Sequence, residues 1–151
     1  MALLDTAFSM LHVLFAGLWT GATVFYAWRI HPLLVDGDIG VTPAMAITTG
    51  LRWLTRIGAV VFVATGGHMA GTGYADGRLF SDPMGHAVLG MLVLWLVVTG
   101  LLEAAIGKIQ TALGEGKIQT AGHENETLIR VAATFSVVLL LLGGYLAQPL
   151  V

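Results

Sequence analysis

Four apolar stretches of membrane-spanning length constrain this chain more than any other feature of its sequence. A hydrocarbon core of roughly 30 Å takes about 20 helical residues to cross, and segments at about 6–31, 50–72, 85–110 and 127–148 are long enough. Their least polar runs are Val13 to Trp28, Ile57 to Gly67, Ala87 to Leu102 and Val131 to Ala147. With 56% hydrophobic and 11% charged residues and a mean hydropathy of +0.84, the chain lies outside the range of soluble domains. The expected fold is all-α: an integral membrane antiparallel four-helix bundle, a single domain over 1–151 in contact with the lipid bilayer. The first segment lacks a basic n-region and is too long for a signal-peptide core, so it reads as a helix.

Cysteine is absent, which excludes disulfides, thiolate metal sites and covalent CxxCH haem attachment. The net charge of −2 comes without a basic patch, so nucleic acid is not an expected partner. Arg29, Arg52 and Arg56 flank the first connection and Lys108, Lys117 and Arg130 the third, whereas the second carries only Arg78. By the positive-inside rule, connections one and three face the cytoplasm and both termini are extracytoplasmic, in a multi-pass protein of the cell membrane. Residues 32–49 and 73–84 contain turn chemistry and read as loops. Gly107-Lys-Ile-Gln-Thr-Ala112 recurs as Gly116-Lys-Ile-Gln-Thr-Ala121, without an evident chemical role. A weaker repeat of His12-to-Trp19 in His86-to-Trp95 suggests two related helical hairpins.

Three histidines occupy the outer ends of the spans. At 1.5 Å per residue, His12 lies about 9 Å into helix one, His68 about 6 Å from the end of helix two, and His86 within about a turn of the start of helix three. An ionisable side chain inside a membrane is a functional-site candidate because leaving it unpaired in hydrocarbon is costly. His12, Trp19 and Tyr26 recur every seven residues, so they share one helical stripe. His68 stacks over Ala64, Val61 and Gly58, and His86 over Gly90 and Val93. Small residues beneath each imidazole leave room for a planar or metallic group.

Two cofactor chemistries fit. Imidazoles from different helices can ligate haem b, with Arg78 pairing its propionates. Alternatively, Met10 with His12, Met69 with His68 and Met84 with His86 offer a soft set for copper. A third reading is a non-catalytic subunit of a respiratory membrane complex. Gly17-x-x-x-Gly21 and Gly67-x-x-x-Gly71 supply faces for a homo-oligomer or a membrane redox partner.

His12, Trp19, Thr20, Gly21, Phe25-Tyr26 and Pro32 together resemble the first helix of the copper-resistance D (CopD) superfamily. Arg52, Arg56 and Thr65-Gly66 are similar to that family's Arg-rich start and Thr-Gly end of helix two. The related HemJ-type protoporphyrinogen oxidases share the His-to-Trp helix with its aromatics and Arg, as in His12, Trp19, Phe25-Tyr26 and Arg29. That resemblance implies b-type haem. Those proteins carry a Lys near the start of helix three where this chain has His86, which departs from porphyrinogen oxidation and adds a potential axial ligand.

Elsewhere, Glu103 is expected to partner an arginine at the inner end of helix three. His31, before Pro32, is expected to cap or hydrate a helix end, and His123 to be solvated among Glu124, Asn125 and Glu126.

Overall fold

A computed structural model of the chain describes residues 2–74 and 77–147. Helix α1 (Ala2–Phe25) widens into a π turn (Tyr26–Ile30) and continues as α2 (His31–Asp36). Then come α3 (Val41–Gly73), the short α4 (Arg78–Ser81), α5 (Pro83–Gly114) and α6 (Ile118–Leu146). Four of the helical stretches, Leu3–Asp36, Val41–Gly73, Pro83–Gly114 and Ile118–Leu146, are long and apolar enough to cross a membrane. The chain is a multi-pass membrane helix bundle. Helix α1 packs on α3 and α6, α5 packs on α3 and α6, and α2 packs on α6.

The helices outrun their expected limits at the end of the bundle that holds the α2–α3 and α5–α6 connections. Pro32 does not end the first span, because the π turn before it changes the hydrogen-bond register: the His31 N–H reaches back to the Tyr26 carbonyl, and proline falls in the first turn of α2, where it needs no N–H. Helix α3 starts at Val41 rather than about 50, and α6 at Ile118 rather than about 127. Those extra turns are amphipathic, not apolar, so hydropathy passes over them. Ala44, Thr48, Leu51 and Thr55 bury one stripe of α3, and Ala121, Asn125, Ile129 and Ala132 one stripe of α6. The first connection shrinks to Gly37–Gly40, where Gly37 at φ 78° ends α2 and Asp38 N–H bonds the Leu33 carbonyl. Of the duplicated sequence, the first copy lies within α5 and the second turns the corner into α6. Across that corner Lys117 and Glu115 pair at 2.7 Å, and the lysine's hydrogen bond and charge hold the Glu115 carboxyl below the usual carboxylate range.

The molecule divides sharply along its length. Exposed large hydrophobics crowd residues 3–28, 57–69, 80–97 and 135–145, but over 31–56 and 103–130 only Leu33, Ile47 and Trp53 are exposed. The second group of segments instead carries the dense core: Leu34, Ala44, Ala105, Ile106, Ile109, Leu113, Ala121 and Ile129 are all fully buried. Close approach makes this possible. At Gly122, an added Cβ would stand 2.5 Å from the Val35 nitrogen, so α6 lies directly on the α2 backbone.

Candidate functional site

The seam of α3 with α1 and the π turn that follows it is a ladder of polar contacts spaced seven residues apart. Asp5, His12, Trp19 and Tyr26 each meet a side chain of α3: His68, Thr65, Thr55 and Thr48. Thr65 donates its only hydroxyl proton to the Val61 carbonyl at 2.6 Å, so at 2.7 Å from His12 Nδ1 its oxygen is the acceptor. His12 therefore donates through Nδ1–H, which in the neutral ring leaves the lone pair on Nε2. Thr55 works in the same way, donating to the Leu51 carbonyl and accepting from Trp19 Nε1–H at 3.2 Å. The Tyr26 and Thr48 hydroxyls meet at 2.9 Å.

The other two histidines are held differently. His68 Nε2 lies 2.8 Å from Asp5 Oδ1, and the Phe8 ring stacks on the imidazole at 4.3 Å. His86 is exposed and its Nε2–H donates to the Phe80 carbonyl at 2.9 Å. The stripe below it faces outward too, with Gly90 exposed and Val93 60% exposed. The fold thus brings His12 and His68 to one seam and sets His86 on an outer face of α5. Among the described residues no three His, Cys, Asp or Glu side chains converge as a metal-holding group. Arg78 is exposed and donates to the Gly73 carbonyl at 3.3 Å.

Inward of His12 the bundle is closed by rings. Phe62 meets His12 edge-on at 5.2 Å, Trp19 at 6.2 Å and Trp95 at 5.9 Å, linking α1, α3 and α5. Outward of this cluster the packing changes. No residue in 3–18, 66–74, 86–97 or 140–147 is buried, so the histidine-bearing third has no side-chain core of its own. Two concavities, of about 480 and 170 Å³, lie elsewhere, one beside Asp36 and Lys117 and one beside Tyr26 and Leu54.

Trp19 and Tyr26 are 3% and 2% exposed and belong to the core below the site. Glu103 pairs with Arg52 at 3.0 Å and with Arg56 at 3.2 Å, as its position suggested. His31 departs from expectation. It is 1% exposed inside the α2–α6 contact, with Nε2 unpartnered, because the π turn rotates it inward instead of leaving it at a hydrated helix end. Asn125 is likewise buried, whereas His123 is exposed.

Asp5, Thr65, Phe62 and Trp95 carried no site role in the sequence. Asp5 was recoverable, since it lies seven residues before His12 in the same stripe. The threonines were not, because an isolated threonine in an apolar helix usually bonds its own preceding turn. No family model, curated protein or solved structure matches the chain.

Proposed function

We propose that this membrane protein holds b-type haem in the histidine-bearing part of the bundle, with His12 as one axial ligand, and serves electron transfer or haem handling. The observation that supports this best is the His12–Thr65–Val61 relay. An iron ligand must offer an unprotonated nitrogen, and an Nδ1–H held by a fixed acceptor both orients the ring and raises the basicity of Nε2. The uncored packing outward of Phe62 agrees with a bulky planar group there. Haem would supply one-electron chemistry.

The chain's own residues have separable parts in this reading. Thr65 sets the tautomer and angle of His12. Phe62 and Trp95 exclude water on the inward side. Arg78 offers a guanidinium to propionates at the surface. For the second axial position His68 ranks ahead of His86: it shares the seam with His12, and Asp5 engages Nε2 while leaving Nδ1. In this reading both termini and the site face the extracytoplasmic side of the cell membrane, an orientation that the charge asymmetry of the connections supports. The exposed Gly17–Gly21 and Gly67–Gly71 faces suit a second copy or a membrane redox partner. The resemblance to the CopD and HemJ groups is a proposal of the same kind.

Copper at His12 and His68 is the competing reading. It draws less support because Met10 and Met69 are 68% and 37% exposed. The absorption spectrum of the detergent-purified chain separates the readings. A Soret band favours haem; a colourless protein with stoichiometric copper favours the competitor; neither leaves a non-catalytic subunit.

A further inference from the structure

Arg52 and Arg56 stand one turn apart on α3 and share a single carboxylate. Glu103 accepts from Arg52 Nε at 3.0 Å and from Arg56 Nε and Nη2 at 3.3 and 3.2 Å. Arg52 also donates through Nη1 to Gln110. The cluster therefore carries two positive charges against one negative. Arg130 on α6 differs, being matched one to one by Glu126 at 2.6 Å.

The surplus charge sits where the surface changes character. Outward of Arg56, Ile57, Val60 and Val63 are 49%, 72% and 64% exposed, a surface for lipid tails. Inward, Trp53 is the last exposed large hydrophobic on α3 apart from Ile47, and it shares the patch with Arg56, three residues away. Tryptophan and arginine at one level mark a headgroup boundary. The Arg56 side chain is 53% exposed, so the donors that Glu103 does not take are open to the surroundings. On α5, Gly100 precedes Glu103 by one turn on the same face, and an added Cβ there would meet nothing within 4 Å. An arginine pair short of one negative charge, at the end of an exposed apolar face with open space at Gly100, matches a headgroup with one negative charge and two acyl chains.

We propose that Arg56, with Arg52 and Trp53, seats the phosphodiester of an anionic phospholipid on the surface where α3 packs on α5. Guanidinium and phosphate oxygens form charge-assisted paired hydrogen bonds, and the chains follow the exposed apolar faces outward. This assignment does not depend on haem or copper.

The test uses the full chain in a neutral detergent, titrated separately with dioctanoyl phosphatidylglycerol, dioctanoyl phosphatidylcholine and inorganic phosphate, with thermal unfolding as the readout. The glycerol lipid should raise Tm saturably with about fivefold higher apparent affinity than the choline lipid, the preference expected of one uncompensated charge near a membrane surface. Phosphate alone should give no rise. Arg56→Gln should abolish the preference and Arg130→Gln should keep it. As Arg56→Gln also removes a partner of Glu103, a second measurement uses the unaltered ion cluster: brominated phosphatidylglycerol should quench more fluorescence than brominated phosphatidylcholine, and Trp53→Phe should remove that excess. Equal effects of the two lipids, a phosphate response equal to the lipid's, or an undiminished preference in Arg56→Gln would each overturn the assignment.

Discussion

His12 and Thr65 meet across the α1–α3 seam at 2.7 Å, with the imidazole donating because the threonine proton is already committed to the Val61 carbonyl. Thr65→Val keeps the volume and removes the acceptor. It should lower stability by about 0.6 kcal/mol and at most about 1.7 kcal/mol, the range for hydrogen bonds between membrane helices, whereas Thr65→Ser should retain most of it. Unfolding in mixed micelles measures both. A Thr65→Val protein as stable as the parent would remove the relay's structural importance.

The ladder also has a lower rung that is independent of any cofactor. Tyr26→Phe and Thr48→Val each delete one hydroxyl of a buried pair 2.9 Å apart. A double-mutant cycle should return a coupling of about 0.6 kcal/mol. Strict additivity would mean that the two hydroxyls are satisfied separately.

Glycines of the long helices should respond oppositely to alanine. At Gly122 the new methyl would press on the α2 backbone, which has no rotamer to yield, and Gly122→Ala should cost about 1–3 kcal/mol. At Gly100 the space is open and helix propensity alone acts, so Gly100→Ala should be neutral or stabilising by up to about 1 kcal/mol. Paired Tm values decide; equal shifts would contradict the α2–α6 contact.

Topology can be read by thiol labelling on the cysteine-free chain. Ser81 and Glu124 are exposed and lie at opposite ends of the bundle, while the buried Asn125 is unsuitable. In intact cells Ser81→Cys should react with an impermeant reagent and Glu124→Cys only after permeabilisation. The reverse pattern would invert the orientation and move the histidine site to the cytoplasmic side.

Four apolar runs made the helix count and antiparallel order legible, because a lipid-facing surface writes itself as continuous hydropathy. The packed end that holds the α2–α3 and α5–α6 connections was less legible. Residues 41–49 and 118–126 fold as amphipathic helix, and a buried stripe such as Ala44, Thr48, Leu51 is too small and polar to register as core. Pro32 read as a terminator because a π turn leaves no mark in composition. For the site, the heptad of His12, Trp19 and Tyr26 predicted a shared face correctly. Its partners were hidden, since which threonine turns toward α1 depends on the register of α3. His86 lies exposed on α5, away from the α1–α3 seam: position along a helix follows from counting, but the face it presents follows from which neighbours pack there.

The central claim rests on the lone pair of His12 Nε2, and low-temperature electron paramagnetic resonance of the oxidised, purified protein, with and without His12→Ala, tests it most directly. The parent should give a low-spin ferric haem signal that is lost or converted to high spin in His12→Ala, while His31→Ala and His123→Ala keep the parent signal. A parent protein that retains no haem, or a low-spin signal unchanged in His12→Ala, would contradict it.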